Sequence, residues 1–242
     1  MNMKNVLKSN AIWLVFILEV VIFAIASKGA FIRAGNIINI SRQVAYYGIA
    51  SIGMTFVILI AGIDLSIGSI ITLVNVVCAF LMVNLGMNMW LAIIISLALS
   101  TLIGILNGCM VATIGIPALI ATFASQTIFE GVSYLISGGR PISGLFAGLA
   151  GIVLLSRSNS AQSTVGKGLE FDVITCVVLG GVSVNGGVGR ISGVVAGVLI
   201  IGCLTNGMIL MDVSEYTQMV VKGVVLAIAV GIDCISKKRQ AT

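Results

Sequence analysis

The charged side chains inside the apolar runs of this sequence carry its chemistry, because an ion in an apolar setting is expensive to keep. Asp64 stands in Gly62-Ile63-Asp64-Leu65-Ser66-Ile67-Gly68, a break between two apolar runs. Its carboxylate could line a polar path, or cap the next helix by accepting N–H bonds from Ser66 or Ile67. Glu130 lies deep in the run after Pro117, facing either a hydrophilic interior or the water interface. Glu19 sits mid-run near the N-terminus, where pairing with a neighbouring helix is the expected role. Lys222 lies one turn into the last run and is expected to snorkel to the interface. Asn107 and Asn206 are expected to join helices or to touch a solute.

No catalytic constellation accompanies these groups. The chain has no histidine, so it offers no imidazole ligand for a metal and no imidazole base for its serines. Cys78, Cys109, Cys176, Cys203 and Cys234 are scattered, with no C-x-x-C pair, and read as small buried apolar side chains. Gly166-Lys167 is followed by Gly168, and position 161 is Ala, so no phosphate-binding P-loop is present. The glycines at 186, 187, 189 and 193 do not make G-x-G-x-x-G. The chain is expected to be no enzyme and to hold no cofactor or metal, with any ATP hydrolysed by another subunit.

The elements that position these residues follow from composition. Of 242 residues, 59% are hydrophobic and only 9% charged, with a mean hydropathy of +1.19. A soluble globule could not cover so much apolar surface, so a lipid bilayer must solvate much of it. That excludes a soluble enzyme, a nucleic-acid binder and a secreted disulfide scaffold. The fold class is all-α, a polytopic membrane helix bundle of about eight spans or partial spans with broken or re-entrant helices. The 13 basic against 8 acidic residues mark cytoplasmic loops. By that rule both termini, with Lys4, Lys8, Lys237, Lys238 and Arg239, lie in the cytoplasm.

The run from Ala11 to Ala26 reads as a first span, with a cleavable signal as the alternative. Residues 29–43 look like a short interfacial helix, and a second span runs from about Val44 to Ile63. A third follows from about Ser69 to Val83, then a long run from Met89 to Ile116. Pro117 opens another helix reaching about Ile136. Further runs cover Ile142–Leu155, Ile191–Met211 and about Thr217–Ile235, with a polar stretch from Ser156 to Asp172 between the first two. Val173–Val184 is short and ends in glycines, as a re-entrant or discontinuous helix would.

A weak two-fold internal repeat underlies this order. Leu102-Ile-Gly-Ile-Leu-Asn-Gly-Cys-Met110 reads like Ile200-Ile-Gly-Cys-Leu-Thr-Asn-Gly-Met208 with one insertion. Gly180-Gly181-Val182-Ser183 precedes the second as Ala61-Gly62-Ile63-Asp64 precedes the first. We read residues 1–242 as one transmembrane domain with repeat-like halves at about 44–136 and 142–236. Broken helices at matching places in two halves point to a translocation path. Its candidates are Asp64, Ser66, Asn107, Glu130, Ser183, Asn185 and Asn206.

Ala61-Gly-Ile-Asp-Leu-Ser-Ile-Gly-Ser69 resembles the hallmark of the ribose-type sugar permeases of ABC importers. Pro117-Ala-Leu-Ile-Ala-Thr122, Gly139-Arg-Pro-Ile142 and Ala161-Gln-Ser-Thr-Val-Gly-Lys-Gly-Leu-Glu-Phe-Asp172 agree with it in order. So do Val178-Leu-Gly-Gly-Val-Ser-Val-Asn-Gly-Gly-Val-Gly-Arg190 and Tyr216-Thr-Gln-Met-Val-Val-Lys-Gly223. The resemblance implies a multi-pass permease subunit in a bacterial inner or plasma membrane, paired with a second permease subunit as a homo- or heterodimer. It implies a cytoplasmic ABC ATPase and an extracytoplasmic binding protein that delivers a monosaccharide. Branched-chain amino-acid permeases are the nearest alternative. A self-sufficient channel or secondary carrier and a non-transporting scaffold stand further off.

The chain departs from the family pattern at one place. In the family, the Gly139-Arg-Pro-Ile142 motif leads to an outer loop, a further span and a cytoplasmic loop that docks on the ATPase. Here Ile142 runs directly into Ser143-Gly-Leu-Phe-Ala-Gly-Leu-Ala-Gly-Ile152, the helix that comes after them. Losing one span reverses the parity of everything downstream, so either the C-terminal half inverts or another run fails to cross.

Overall fold

The computed structural model describes residues 11–138 and 166–238. Lys4, Lys8, the Gly139–Ile142 motif, the run from Ile142 to Leu155, residues 156–165 and Arg239 lie outside the described residues. The described residues form eight helices and no strand. They are α1 (Ala11–Ala26), α2 (Ala34–Leu59), α3 (Ile67–Val83), α4 (Met89–Ala112), α5 (Ala118–Ser137), α6 (Leu169–Leu179), α7 (Ile191–Leu210) and α8 (Glu215–Lys238). By length and apolar composition α4, α5, α7 and residues 215–235 of α8 can cross a membrane, while α1 and α3 are shorter apolar helices.

Local sequence sets most boundaries. Asn88 caps α4 by accepting from the Trp90 N–H at 2.9 Å. Pro117 caps α5 in extended conformation, a place where its missing N–H costs no helical bond. Gly138 ends α5 in the left-handed region with φ 60°. At the end of α2 that left-handed position falls on Ala61, φ 61°, a conformation that strains a residue with a Cβ. The break expected at 62–68 is present as non-helical chain before α3. The separate interfacial helix expected over 29–43 is not: α2 runs unbroken from Ala34 through Val44. No proline or interior turn signal interrupts it there, and Gln43 is buried rather than left at an interface.

The chain divides into two compact units, residues 1–61 with 171–242 and residues 62–170. In the first, α7 packs against both α1 and α2 and is the most enclosed of the four span candidates. Association of helices in lipid depends on close van der Waals packing, since lipid chains are as apolar as the side chains. The small residues of α7 serve that need. The backbones at Gly180 and Gly193 lie so close that a Cβ on either would collide with the other. In the second unit, α3, α4 and α5 pack pairwise, with Cys78, Ala79, Ala92 and Ile93 fully enclosed and Leu81, Met82 and Leu97 around them. Large apolar side chains on the outside, among them Ile17, Leu18, Ile22, Ile94, Leu135 and Ile228, are what a helix bundle presents to acyl chains.

Candidate functional site

The break before α3 is built from hydrogen bonds its own sequence supplies. Asp64 Oδ1 accepts from the Ser66 backbone N–H at 2.8 Å and from the Ser66 hydroxyl at 2.6 Å. Ser66, not Asp64, occupies the N-cap position of α3, so Asp64 holds the turn just ahead of the helix. The Asn107 amide on α4 donates to the Ser66 Oγ at 2.9 Å, and Ser125 on α5 donates to Asn107 Oδ1 at 2.5 Å. Thr122, also on α5, accepts from the Leu65 N–H at 3.1 Å. Ser66, Asn107, Ser125 and Thr122 are all buried, while Asp64 is half-buried. Leaving any buried member unpartnered would cost about 1–3 kcal/mol, which makes the network a rigid polar seam.

The same unit holds a small cavity lined by Ser69, Thr72, Gln126, Glu130, Gly166, Lys167 and Glu170. Glu130 and Gln126 stand on α5 one turn apart, and the Gln126 amide donates to Glu170 Oε1 at 3.1 Å. Beside the cavity two chain segments touch without side chains between them: a Cβ at Gly68 or Gly166 would fall on the opposite backbone. Thr72 seals the contact by accepting from the Gly166 N–H at 2.9 Å.

In the other unit, two polar clamps tie α8 to the segment that contains α6. Lys222 Nζ donates to Asp172 Oδ2 at 2.7 Å, and the Tyr47 hydroxyl on α2 donates to the same oxygen at 2.8 Å. Eleven residues on, Asp233 Oδ2 accepts from the Ser183 hydroxyl at 3.0 Å and the Val184 N–H at 3.3 Å. Lys222 and Asp172 are fifty positions apart, as are Asp233 and Ser183, so α8 runs alongside 172–183 in the same direction. The glycine turn after Ser183 is held by its own bonds, and Gly187 donates to the Leu59 carbonyl at the end of α2 at 2.9 Å.

Lys222 therefore does not snorkel. Its side chain is 20% exposed, and a carboxylate within reach outweighs the longer route to water. Glu19 is not paired with a neighbouring helix either: its Oε2 is buried and, among the described residues, has no hydrogen-bond partner. Asn206 accepts from the Asn36 amide at 2.8 Å and joins α7 to α2. Asp64, Ser66 and Asn107 are brought into one network, Glu130 lines the cavity, Ser183 is held by Asp233, and Asn185 is exposed.

Asp233, Asp172, Tyr47, Ser125, Thr122 and Glu170 were not singled out from sequence. One signal was available for Asp233. Gly231-Ile232-Asp233 repeats the Gly62-Ile63-Asp64 tripeptide, and it is a further charge in an apolar run. Both carboxylates do one task, accepting from a serine hydroxyl and a backbone N–H at a helix break. Asp64 does so within its own turn and Asp233 from another helix. Among the described residues no group of histidine, cysteine and carboxylates is arranged to hold a metal ion. The donors and acceptors of these sites can bind, orient or pass a polar solute, and none is paired as nucleophile and base.

The sequence profile described as "Branched-chain amino acid transport system / permease component" matches residues 36–140 and 141–230. The "Ribose import permease protein RbsC" of Haemophilus influenzae is 32% identical, covering 90% of this chain and 91% of its own length. The protein of the same name from Bacillus subtilis is 33% identical over 90% of each chain. The "D-allose transport system permease protein AlsC" of Escherichia coli is 30% identical over 92% of this chain and 91% of its own. No solved structure matches. The Haemophilus alignment runs over 296 positions, of which nine-tenths of a 242-residue chain fills about 218. About 78 positions thus have no residue in this chain, and the profile match is interrupted between Arg140 and Pro141, two residues ahead of the junction expected after Ile142.

Proposed function

The chain belongs to the family of branched-chain amino acid transport system permease components, and on that premise we propose that it is the membrane-spanning permease subunit of an ATP-driven importer for a monosaccharide. The observation that carries the sugar reading is the pair of ribose permeases matched over nine-tenths of both chains. The chemistry of the break supports it. A seam of Asp64, Ser66, Asn107, Ser125 and Thr122 offers hydroxyl, amide and carboxylate groups suited to a polyhydroxy solute, and little for an aliphatic side chain.

In this reading residues 1–242 form one permease domain of a bacterial inner or plasma membrane. It pairs with a second permease subunit, receives sugar from an extracytoplasmic binding protein and is driven by a cytoplasmic ABC ATPase. Asp64, Ser66, Asn107, Glu130, Ser183, Asn185 and Asn206 line or frame the translocation path. On this reading the interruption between Arg140 and Pro141 falls where the resemblance implies a further span and the ATPase-docking loop. ATP closure can shift the membrane helices only through contacts that differ between the two states. Without a docking loop those contacts are lost, so this 242-residue chain is an uncoupled permease.

The substrate class is tested by uptake. A variant with a relative's segment restored between Arg140 and Pro141 is expressed in a strain lacking its own ribose permease. Uptake of labelled ribose or allose, competed by other monosaccharides and not by leucine, is expected. Competition by leucine alone would assign the chain to amino-acid transport.

A further inference from the structure

Glu170 is the buried acid that the proposed transport path does not use. It opens α6, an 11-residue helix that is not one of the candidate spans. Its side chain is 2% exposed, and Oε2 is buried and, among the described residues, has no hydrogen-bond partner. The other oxygen accepts from a neutral amide, that of Gln126, and no cation is paired with either oxygen among the described residues. A buried carboxylate normally has a cation or several donors around it. Here α3 contributes Gly68, Ser69 and Thr72, none of them titratable, and α5 contributes Gln126 and the second acid, Glu130. The turn before α6 contributes Lys167, which is exposed and forms no ion pair with either acid. Asp172, two residues on, is taken by Lys222 and Tyr47.

The cavity beside Glu170 leaves about 10 Å³ for the centre of an occupant, enough for one water and far too little for a sugar. Its walls supply hydroxyl, amide and carboxyl groups, the two to four polar partners a buried water needs. We propose that Glu170 is a proton site: it carries a hydrogen on Oε2, shut against the Gly68 backbone, beside a cavity that holds a single water against Ser69, Thr72 and Glu130. The proton comes from bulk solvent and returns there when the site opens; no bond other than O–H forms or breaks.

The electrostatics agree. Burial pushes the Glu170 carboxyl above its ordinary range, the Gln126 amide and nearby backbone N–H groups pull it part of the way back, and the charge on Glu130 adds a smaller upward push. The folded state thus binds a proton that the unfolded chain releases at lower pH. This contribution to stability is complete below the unfolded carboxylate value and is lost as pH rises through the folded one. A neutral Glu170 lets the Gly68 and Gly166 backbones keep their close contact, whereas an ionised one would favour opening the cavity to solvent.

The test uses the full chain, purified and placed in lipid nanodiscs, with Glu19→Gln in every sample to remove the other buried acid with an unpartnered oxygen, and wild type at both cavity acids, Glu170→Gln and Glu130→Gln compared. Glutamine copies the neutral acid in shape and hydrogen bonding. Infrared spectra at about pH 7 should show the carbonyl stretch of a neutral carboxylic acid in wild type and lose it in Glu170→Gln. The unfolding temperature of wild type should fall as pH is raised from about 5 to about 8, and Glu170→Gln should lose that dependence. Glu130→Gln, with the like charge gone, should shift both the band's titration and the fall to lower pH. Absence of the band in wild type, or persistence of band and pH dependence in Glu170→Gln, would overturn the proposal. Should Glu170→Gln fail to fold, the Glu130→Gln titration decides: a shift to lower pH supports the site, and an unmoved titration overturns it.

Discussion

Replacing Lys222 with methionine tests whether the last helix is held by its ion pair or only by lipid. Methionine keeps the length and apolar body of the lysine stem and removes the ammonium. In the folded protein the two side chains are 20% and 12% exposed, and the Nζ–Oδ2 distance is 2.7 Å. A fully buried pair broken on one side costs about 3–5 kcal/mol, and an exposed one about 0–1 kcal/mol. Residual exposure and the surviving Tyr47 O–H bond to Asp172 bring the expected loss to about 2–3 kcal/mol. Asp172→Asn should cost a similar amount, because it strands the lysine. The double variant should recover part of the loss, with a coupling of about 1–2 kcal/mol. Unfolding can be followed by dye labelling of the buried thiols Cys78, Cys176 and Cys203, after Cys109 and Cys234, which are exposed rather than buried as expected, are blocked. A Lys222→Met protein within about 0.5 kcal/mol of wild type, or additive single variants, would refute the clamp and restore the snorkelling lysine.

Other outcomes follow from the same contacts. Asp64→Ala should lower stability by about 1 kcal/mol, as a lost cap does, and Asp64→Asn by less, measured by the same thermal labelling. If the charge shapes the path, Asp64→Asn in a segment-restored chain should still lower sugar uptake. Ala61→Gly should raise stability by up to about 1 kcal/mol, because the left-handed φ of 61° no longer meets a Cβ; a loss of stability would show that the strain is not real. Gly193→Ala should destabilise by about 1–3 kcal/mol through its collision with the Gly180 backbone, and a neutral result would mean the two segments can part freely.

Composition was enough to read an all-α membrane bundle, because so few charges and so much apolar surface leave one solvent. The breaks were legible for the same reason: Gly62-Ile63-Asp64 and the glycines after Leu179 interrupt apolar runs. What was not legible is which side chains meet. Lys222 and Asp172 lie fifty positions apart, and nothing in spacing alone distinguishes a clamp from a snorkelling lysine. Continuity of α2 through residues 34–44 also escaped, because amphipathic pattern fixes which face is polar and not whether the helix stops. Glu170 was passed over inside a stretch read as a polar loop, although it is among the most buried acids described.

The proposed role is that of a sugar permease whose ATPase coupling is lost at the interruption between Arg140 and Pro141. The direct measurement is monosaccharide-stimulated ATP hydrolysis in liposomes, with a cognate ABC ATPase and sugar-binding protein. The 242-residue chain is compared with one carrying the corresponding segment of a relative inserted at that point. We expect no stimulation and no co-purification with the ATPase for the chain as it stands, and both for the restored one. A stable complex with stimulated hydrolysis from the 242-residue chain itself would contradict the account.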